Sequence, residues 1–245
     1  MKNHATSQPG HFYAVGVGPG APDLMTLRAA RLVQTADVII APRSSKSDDS
    51  LALLTIKELL DQQEVIENIY PMERNQTATR QCWADAADQA AARCAQGQSV
   101  VQITIGDPLI YSTSAYLIEA LSERMPADKI HVVPGISAMQ AAAARFCDPL
   151  TIQDDRLILM PAVRLDQVAA ALKQCETLVL YKVGPRLKEL IALLQEHNVL
   201  DRARLVCHVE QEGREIIVSS LSDNLPAEVG YMSTVIVHAG RKSWA

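Results

Sequence analysis

The residues with the clearest capacity for chemistry in this chain of 245 residues are glycines. Val15-Gly16-Val17-Gly18-Pro19-Gly20-Ala21-Pro22 sets Gly16, Gly18 and Gly20 at alternate positions after a short apolar run. Glycine lets main chain approach a ligand closely, and the free N–H groups that open a helix can meet a polar or anionic group. A second loop, Ile105-Gly106-Asp107-Pro108, adds a carboxylate beside a glycine, with Ile110 and Tyr111 following. Asp107 could accept hydrogen bonds from amines or hydroxyls, and Asp107 and Tyr111 are the candidates for general acid–base work. A third loop, Pro134-Gly135-Ile136-Ser137, offers another close-approach glycine and a serine suited to cap the next helix. Arg43 and Lys46 on one loop, with Arg74 and Arg80 beyond it, could bind carboxylates, although Asp48 and Asp49 partly neutralise that loop. The five cysteines form no CxxC pair, and the six histidines are scattered, so neither a metal cluster nor a Ser-His-Asp triad is spelled out.

Stepping along the chain, short β-forming runs alternate with helical patterns. Strands are predicted at Phe12 to Val17, Asp37 to Ala41, Val65 to Tyr70, Ser99 to Ile105 and Lys129 to Val133. Helices are predicted at Leu24 to Gln34, around Leu53 to Leu60, at Thr77 to Gln96 and at Thr113 to Arg124. This alternation implies a five-stranded parallel sheet with flanking helices. After Pro134-Gly135 the pattern changes. Strands at Leu157 to Met160, Leu178 to Tyr181, Arg204 to Val209, Glu215 to Ser219 and Thr234 to His238 are expected to form a mixed five-stranded sheet. The middle of these pairs should be a hairpin around Gly213. The expected organisation is α/β with two domains: a disordered tail at 1–11, an N-terminal domain at 12–134 and a C-terminal domain at 135–245.

Composition narrows the classes. A net charge of −5 and 4% aromatic residues argue against a nucleic-acid binder, and no apolar run is long enough to span a bilayer. A polar start without an apolar leader segment points to a cytoplasmic protein. The first glycine loop alone leaves several readings. Gly16, Gly18 and Ala21 fit the dinucleotide pattern G-x-G-x-x-G/A, but the acid expected after the second strand is replaced by Ala41-Pro42-Arg43. Only an NADP-dependent oxidoreductase, using Arg43, fits that reading. A Rossmann-like methyltransferase would place S-adenosylmethionine near Gly16, Gly18 and Gly20, usually with an acid where Ala14 stands.

Four segments taken in order favour a third reading. They are Gly16 to Ala29, Thr104 to Thr113, Val132 to Ala138 and Leu180-Tyr181-Lys182-Val183-Gly184. From about Phe12 onward this series resembles the tetrapyrrole (corrin/porphyrin) methylase family. Within it the chain looks most like enzymes that methylate C20 of precorrin-2 or cobalt-factor II in cobalamin synthesis. The features are Ala41 to Lys46 leading into Ser50-Leu51-Ala52, Tyr70-Pro71-Met72 before the Trp83 helix, and Gly106-Asp107-Pro108 running into Tyr111 and Tyr116. Another methylase position, such as uroporphyrinogen-III methylation, is the near alternative. The chain departs from the pattern at Ala21, often Asp, and at Met232 in Tyr231-Met232-Ser233, often Phe.

The resemblance implies S-adenosylmethionine folded into a cleft between the two domains. Pro19, Ile105, Gly106, Asp107, Ile110, Ser137 and Ala138 would line it. Tyr181, Lys182, Glu210, Gln211, Ser233 and Thr234 would contribute from the second domain. Arg43, Lys46, Arg74 and Arg80 would meet the carboxylates of a tetrapyrrole substrate, and a homodimer is expected.

Overall fold

The computed structural model describes residues 6–44, 50–70, 76–223, 225–226 and 229–240. The chain divides into two units, residues 1–137 and 138–245. The expected division at Pro134-Gly135 lies just before this point. Residues 135–137 stay with the first unit because Gly135 donates its N–H to Asp107 and packs on Gly16.

In the first unit, β1 (Phe12–Gly16), β2 (Val38–Ser44), β3 (Glu64–Tyr70), β4 (Val100–Thr104) and β5 (Ile130–Val133) form a sheet of order β3-β2-β4-β1-β5. Every pairing in it is parallel, as the alternating pattern implied. Side chains alternate strictly between its faces. Tyr13, Val15, Ile39, Ala41, Val101 and Ile103 pack on α1 (Leu27–Thr35) and α2 (Leu51–Ile56). Phe12, Ala14, Val38, Ile40 and Val100 pack on α3 (Gln76–Ala95) and α4 (Ser114–Ser122). Each fully buried branched side chain contributes about 1.5–3 kcal/mol.

The helix predicted from Leu24 starts later. Pro22–Leu24 is a short 3-10 turn, and Thr26 caps α1 by accepting the N–H of Ala29 at 3.1 Å. The chain leaves β1 toward β2 by way of α1 on one face, and leaves β4 toward β5 by way of α4 on the other. Their carboxyl ends therefore diverge, which is the place in an open parallel sheet where a crevice forms.

The second unit holds β6 (Leu157–Pro161), β7 (Thr177–Tyr181), β8 (Ala203–Cys207), β9 (Ile216–Val218) and β10 (Ser233–His238), in the order β6-β7-β10-β8-β9. β6 and β7 are parallel; the other pairings are antiparallel, so the sheet is mixed. Leu178, Leu180, Val235 and Val237 face α6 (Leu165–Ala171) and α7 (Leu187–Glu196). Val179, Val206 and Ile236 face the three alanines Ala141–Ala143 of α5 (Ala138–Arg145). β8 stops at Cys207 rather than Val209, because His208, which still donates its N–H to the Met232 carbonyl at 2.8 Å, turns left-handed at φ 49° and takes the following residues out of the ladder.

Candidate functional site

The carboxyl edge of the first sheet is built from glycine main chain. Gly106 donates its N–H to the Gly18 carbonyl at 2.7 Å, and Val17 donates to Thr104 at 2.9 Å, so the β1 and β4 loops are laced together. A Cβ on Gly16 would stand 2.4 Å from the Gly106 oxygen, and one on Gly135 would stand 2.1 Å from it. Three loops thus touch backbone to backbone at positions where no side chain fits. Pro19 is buried in this edge, as are Gly106 and Ser137, while Ile105 and Ile110 are half-buried at its rim. The Thr55 hydroxyl of α2 shares its proton between the Leu51 carbonyl of its own helix at 3.0 Å and the Gly20 carbonyl of the loop at 3.3 Å.

Asp107 ties the loops. One carboxylate oxygen accepts the N–H of Leu109 at 2.8 Å, and the other accepts that of Gly135 at 3.1 Å. A carboxylate offers about four acceptor positions, so these two bonds leave room for a ligand amine or hydroxyl. Its first task is nonetheless positional, which the sequence motif alone does not reveal. Below it, Ser112 is a hub: its hydroxyl lies 3.0 Å from the Thr104 hydroxyl, donates to Ser114 Oγ at 3.1 Å, and accepts the Ser114 N–H. Tyr111, between the two, holds a left-handed φ of 50° and is 48% exposed. Such a backbone in a bulky residue is costly and concentrates where surroundings enforce it.

The residues expected to bind substrate carboxylates come through unevenly. Arg43, near the end of β2, is engaged with Glu67 of β3 at 3.2 Å, so it is not a bare cation. Arg80 is exposed on α3. Lys46 and Arg74 lie outside the described residues. Burial pushes the thiol of Cys94 up to about 11 and raises those of Cys82, Cys175 and Cys207, which keeps them from acting as thiolates.

In the second unit the expected cofactor residues are committed to neighbours. The Tyr181 hydroxyl accepts the N–H of Met139 at the start of α5, at 2.9 Å, beside Ala138. Lys182, at φ 59°, lies over the Tyr231 ring at 5.3 Å. Ser233 Oγ accepts from Gly184 N–H and donates to the Gly230 carbonyl at 2.8 Å. Thr234 is buried in the ladder between Tyr181 and Val206. Glu210, at φ 60°, is paired with Arg145 of α5 at 3.0 Å, and Arg145 also holds Glu215 at 3.0 Å. Gln211 Oε1 lies 3.2 Å from His208 Nδ1. Arg145 is the residue that sequence reasoning missed here; it sits on a helix far from Glu210 in the chain, and no local motif marks it.

Among the described residues no helix is long and apolar enough to cross a membrane. Residues 11–224 match the family model of the tetrapyrrole (corrin/porphyrin) methylases. The cobalt-precorrin-2 C(20)-methyltransferase of Salmonella typhimurium is 32% identical over 239 residues, covering 96% of this chain and 98% of that protein. Among solved structures, a cobalt precorrin-4 methyltransferase of cobalamin biosynthesis superposes with a TM-score of 0.69 at 21% identity, covering 99% of this chain and 98% of the other. A uroporphyrin-III C-methyl transferase from Thermus thermophilus, complexed with S-adenosylhomocysteine, gives 0.63 at 19% identity, covering 93% and 96%. At these identities the structural likeness is one of fold.

Proposed function

The chain belongs to the tetrapyrrole methylases, and from that membership we propose that it methylates C20 of precorrin-2 or cobalt-factor II in cobalamin biosynthesis, with S-adenosylmethionine as methyl donor. The observation that carries the choice of C20 is the near full-length match to a C(20)-methyltransferase. The site is compatible with the donor. Gly16, Gly106 and Gly135 form a side-chain-free edge where main chain can lie against a ligand, and Asp107 keeps acceptor capacity beside it. When bound, the donor supplies a methyl group already activated by the sulfonium charge.

What remains for the protein is placement, because an in-line displacement needs its reacting atoms about 3–3.5 Å apart and aligned. The tie between Asp107 and Gly135 fixes the distance between the β4 and β5 loops, and the Gly18–Gly106 bridge fixes β1 against β4. Methylation at a ring CH also requires that carbon to lose its proton. Asp107 and Tyr111 are the groups of the loop able to accept it. In the second unit, Tyr181, Lys182, Glu210 and Gln211 are held ready by the contacts described above. We place the enzyme in the cytoplasm and infer a homodimer; sedimentation of the purified protein tests the dimer.

The deciding experiment incubates the protein with methyl-13C-labelled S-adenosylmethionine and precorrin-2, with and without cobalt, and locates the label by NMR. Label at C20 is expected, together with calorimetric binding of S-adenosylhomocysteine. Label at another ring position moves the enzyme within the family; binding of NADPH without S-adenosylhomocysteine removes the reading altogether.

A further inference from the structure

Three aromatic rings of the first unit stand in one column. Tyr70, the last residue of β3, stacks on Trp83 of α3 with centroids 4.0 Å apart and planes at 21°. Trp83 stacks in turn on Tyr116 of α4, at 5.6 Å and 28°. The inner rings are buried, at 4% and 7% exposure, whereas Tyr116 is 58% exposed. The indole N–H of Trp83 has no acceptor among the described residues, so ring packing rather than a hydrogen bond sets its orientation. Burial pushes the Tyr70 phenol up to about 12, which leaves that ring neutral at any working pH.

The position of the column matters as much as its order. β3 ends, α3 begins and α4 begins at the carboxyl edge of the sheet, and α4 is entered directly from the Gly106-Asp107 loop. Leu109 and Tyr111 of that loop are also exposed, at 62% and 48%. Arg80 precedes Trp83 by one helical turn, is exposed, and makes no ion pair among the described residues. A stacked column that ends in a ring 58% exposed, on a helix pair that also carries the exposed Arg80 one turn from Trp83, is an unusual surface to leave in water. It complements a flat conjugated ring that carries peripheral carboxylates.

We propose that the outer face of Tyr116 is the platform on which the acceptor macrocycle stacks, backed by Trp83 and Tyr70, with Arg80 pairing one of the acceptor's carboxylates. This rests on the methylase reading and deepens it by naming the surface that selects the acceptor. Stacking of this kind acts on acceptor binding and leaves donor binding untouched.

The test compares wild type with Tyr116→Ala, Tyr116→Phe and Arg80→Ala. The readouts are the precorrin-2 KM and kcat, the Kd of uroporphyrin as a stable flat polycarboxylate, the Kd of S-adenosylhomocysteine and the sedimentation coefficient. Tyr116→Ala is expected to raise the precorrin-2 KM and the uroporphyrin Kd by about tenfold. The kcat, S-adenosylhomocysteine affinity and oligomeric state should hold, which also shows that the variant is folded. Tyr116→Phe should behave as wild type, and Arg80→Ala should weaken both macrocycles a few-fold in a salt-dependent way. Unchanged macrocycle binding in Tyr116→Ala overturns the proposal, and so does a change of oligomeric state alone, which would make the face a contact between two copies. If wild type does not methylate C20 but uroporphyrin binding still depends on Tyr116, the platform stands and the C20 assignment falls. If C20 methylation proceeds with a normal KM in Tyr116→Ala, the platform falls alone. A wild type that binds neither macrocycle overturns both.

Discussion

In the first unit the loops at the carboxyl edge meet main chain to main chain: Gly16 and Gly135 lie against the Gly106 carbonyl where no Cβ of theirs fits, and Asp107 clamps two backbone N–H groups. In the second unit the residues proposed for the same cofactor meet their neighbours largely through side chains. Tyr181 holds the start of α5, Ser233 bridges Gly184 and Gly230, and Glu210 hangs from Arg145. At Gly16 and Gly135 the backbone-built site has no room for an added carbon. A side-chain-built one tolerates substitution in proportion to how many bonds each residue makes. The contrast is one of degree, since Gly184 of the second unit also lies against the Val229 and Gly230 main chain where a Cβ would stand 2.3 Å from an oxygen, and it can be broken by mutation.

The largest effect is expected from Gly135→Ala. Its Cβ would stand 2.1 Å from the Gly106 oxygen, and the obstacle is backbone, which cannot swing aside as a side chain would. We expect a loss of about 3 kcal/mol in urea unfolding, with S-adenosylhomocysteine binding abolished in whatever remains folded. Gly213→Ala in the second unit is the control. It has a positive φ of 71° but open space around it, so only the backbone strain of about 1–2 kcal/mol applies. Equal losses in the two variants would erase the contrast.

This division also explains what could be read from the chain. The ten strands were legible as short β-forming runs, six of them closed by Gly or Pro although β2 itself continues through Pro42 to Ser44, and the parallel and mixed sheets followed from the spacing of helices between them. Boundaries set by a local hydrogen bond or an unseen φ were not. Thr26 starts α1 three residues after the hydrophobic pattern does, and left-handed His208 ends β8 early. Glycines at the site were legible as motifs, since each marks its own requirement. The partners of side chains were not, because they lie far off in sequence: Gly135 for Asp107, Arg145 for Glu210, and Glu67 for Arg43 across the register of β2 and β3.

Intermediate effects sharpen the comparison. In Asp107→Asn the amide keeps one acceptor but turns an NH2 toward the other backbone N–H. The expected cost is about 1–2 kcal/mol of stability, and S-adenosylhomocysteine should bind about tenfold more weakly, by calorimetry. Arg145→Ala leaves Glu210 and Glu215, whose side chains are only 16% and 18% exposed, without their shared cation. Because Arg145 itself is 39% exposed, we expect about 1 kcal/mol rather than the full cost of a buried pair. A double-mutant cycle with Glu210→Gln should show coupling, and near-additive losses would mean the loop is held by something else.

The smallest effect belongs to a pair at the rim of the second sheet, where β6 and β7 begin, at the opposite end of β7 from Tyr181 and Lys182. Glu176 accepts from the Arg156 side chain at 2.8 Å and 3.1 Å and from the Arg156 N–H at 2.7 Å, which together hold its carboxyl down at about 2 from an ordinary 4.5. A carboxyl depressed in the folded state favours folding above its unfolded value, and that contribution disappears as the pH falls toward the folded value. Stability should therefore drop between about pH 4.5 and 2 by an increment that Arg156→Ala lacks. The pair is exposed, so screening keeps the increment small and salt should shrink it further. Urea midpoints measured against pH for the two proteins would converge at the acid end. Parallel curves would show that Glu176 is held by its backbone contact alone, and that in this unit too the main chain outweighs the side chain.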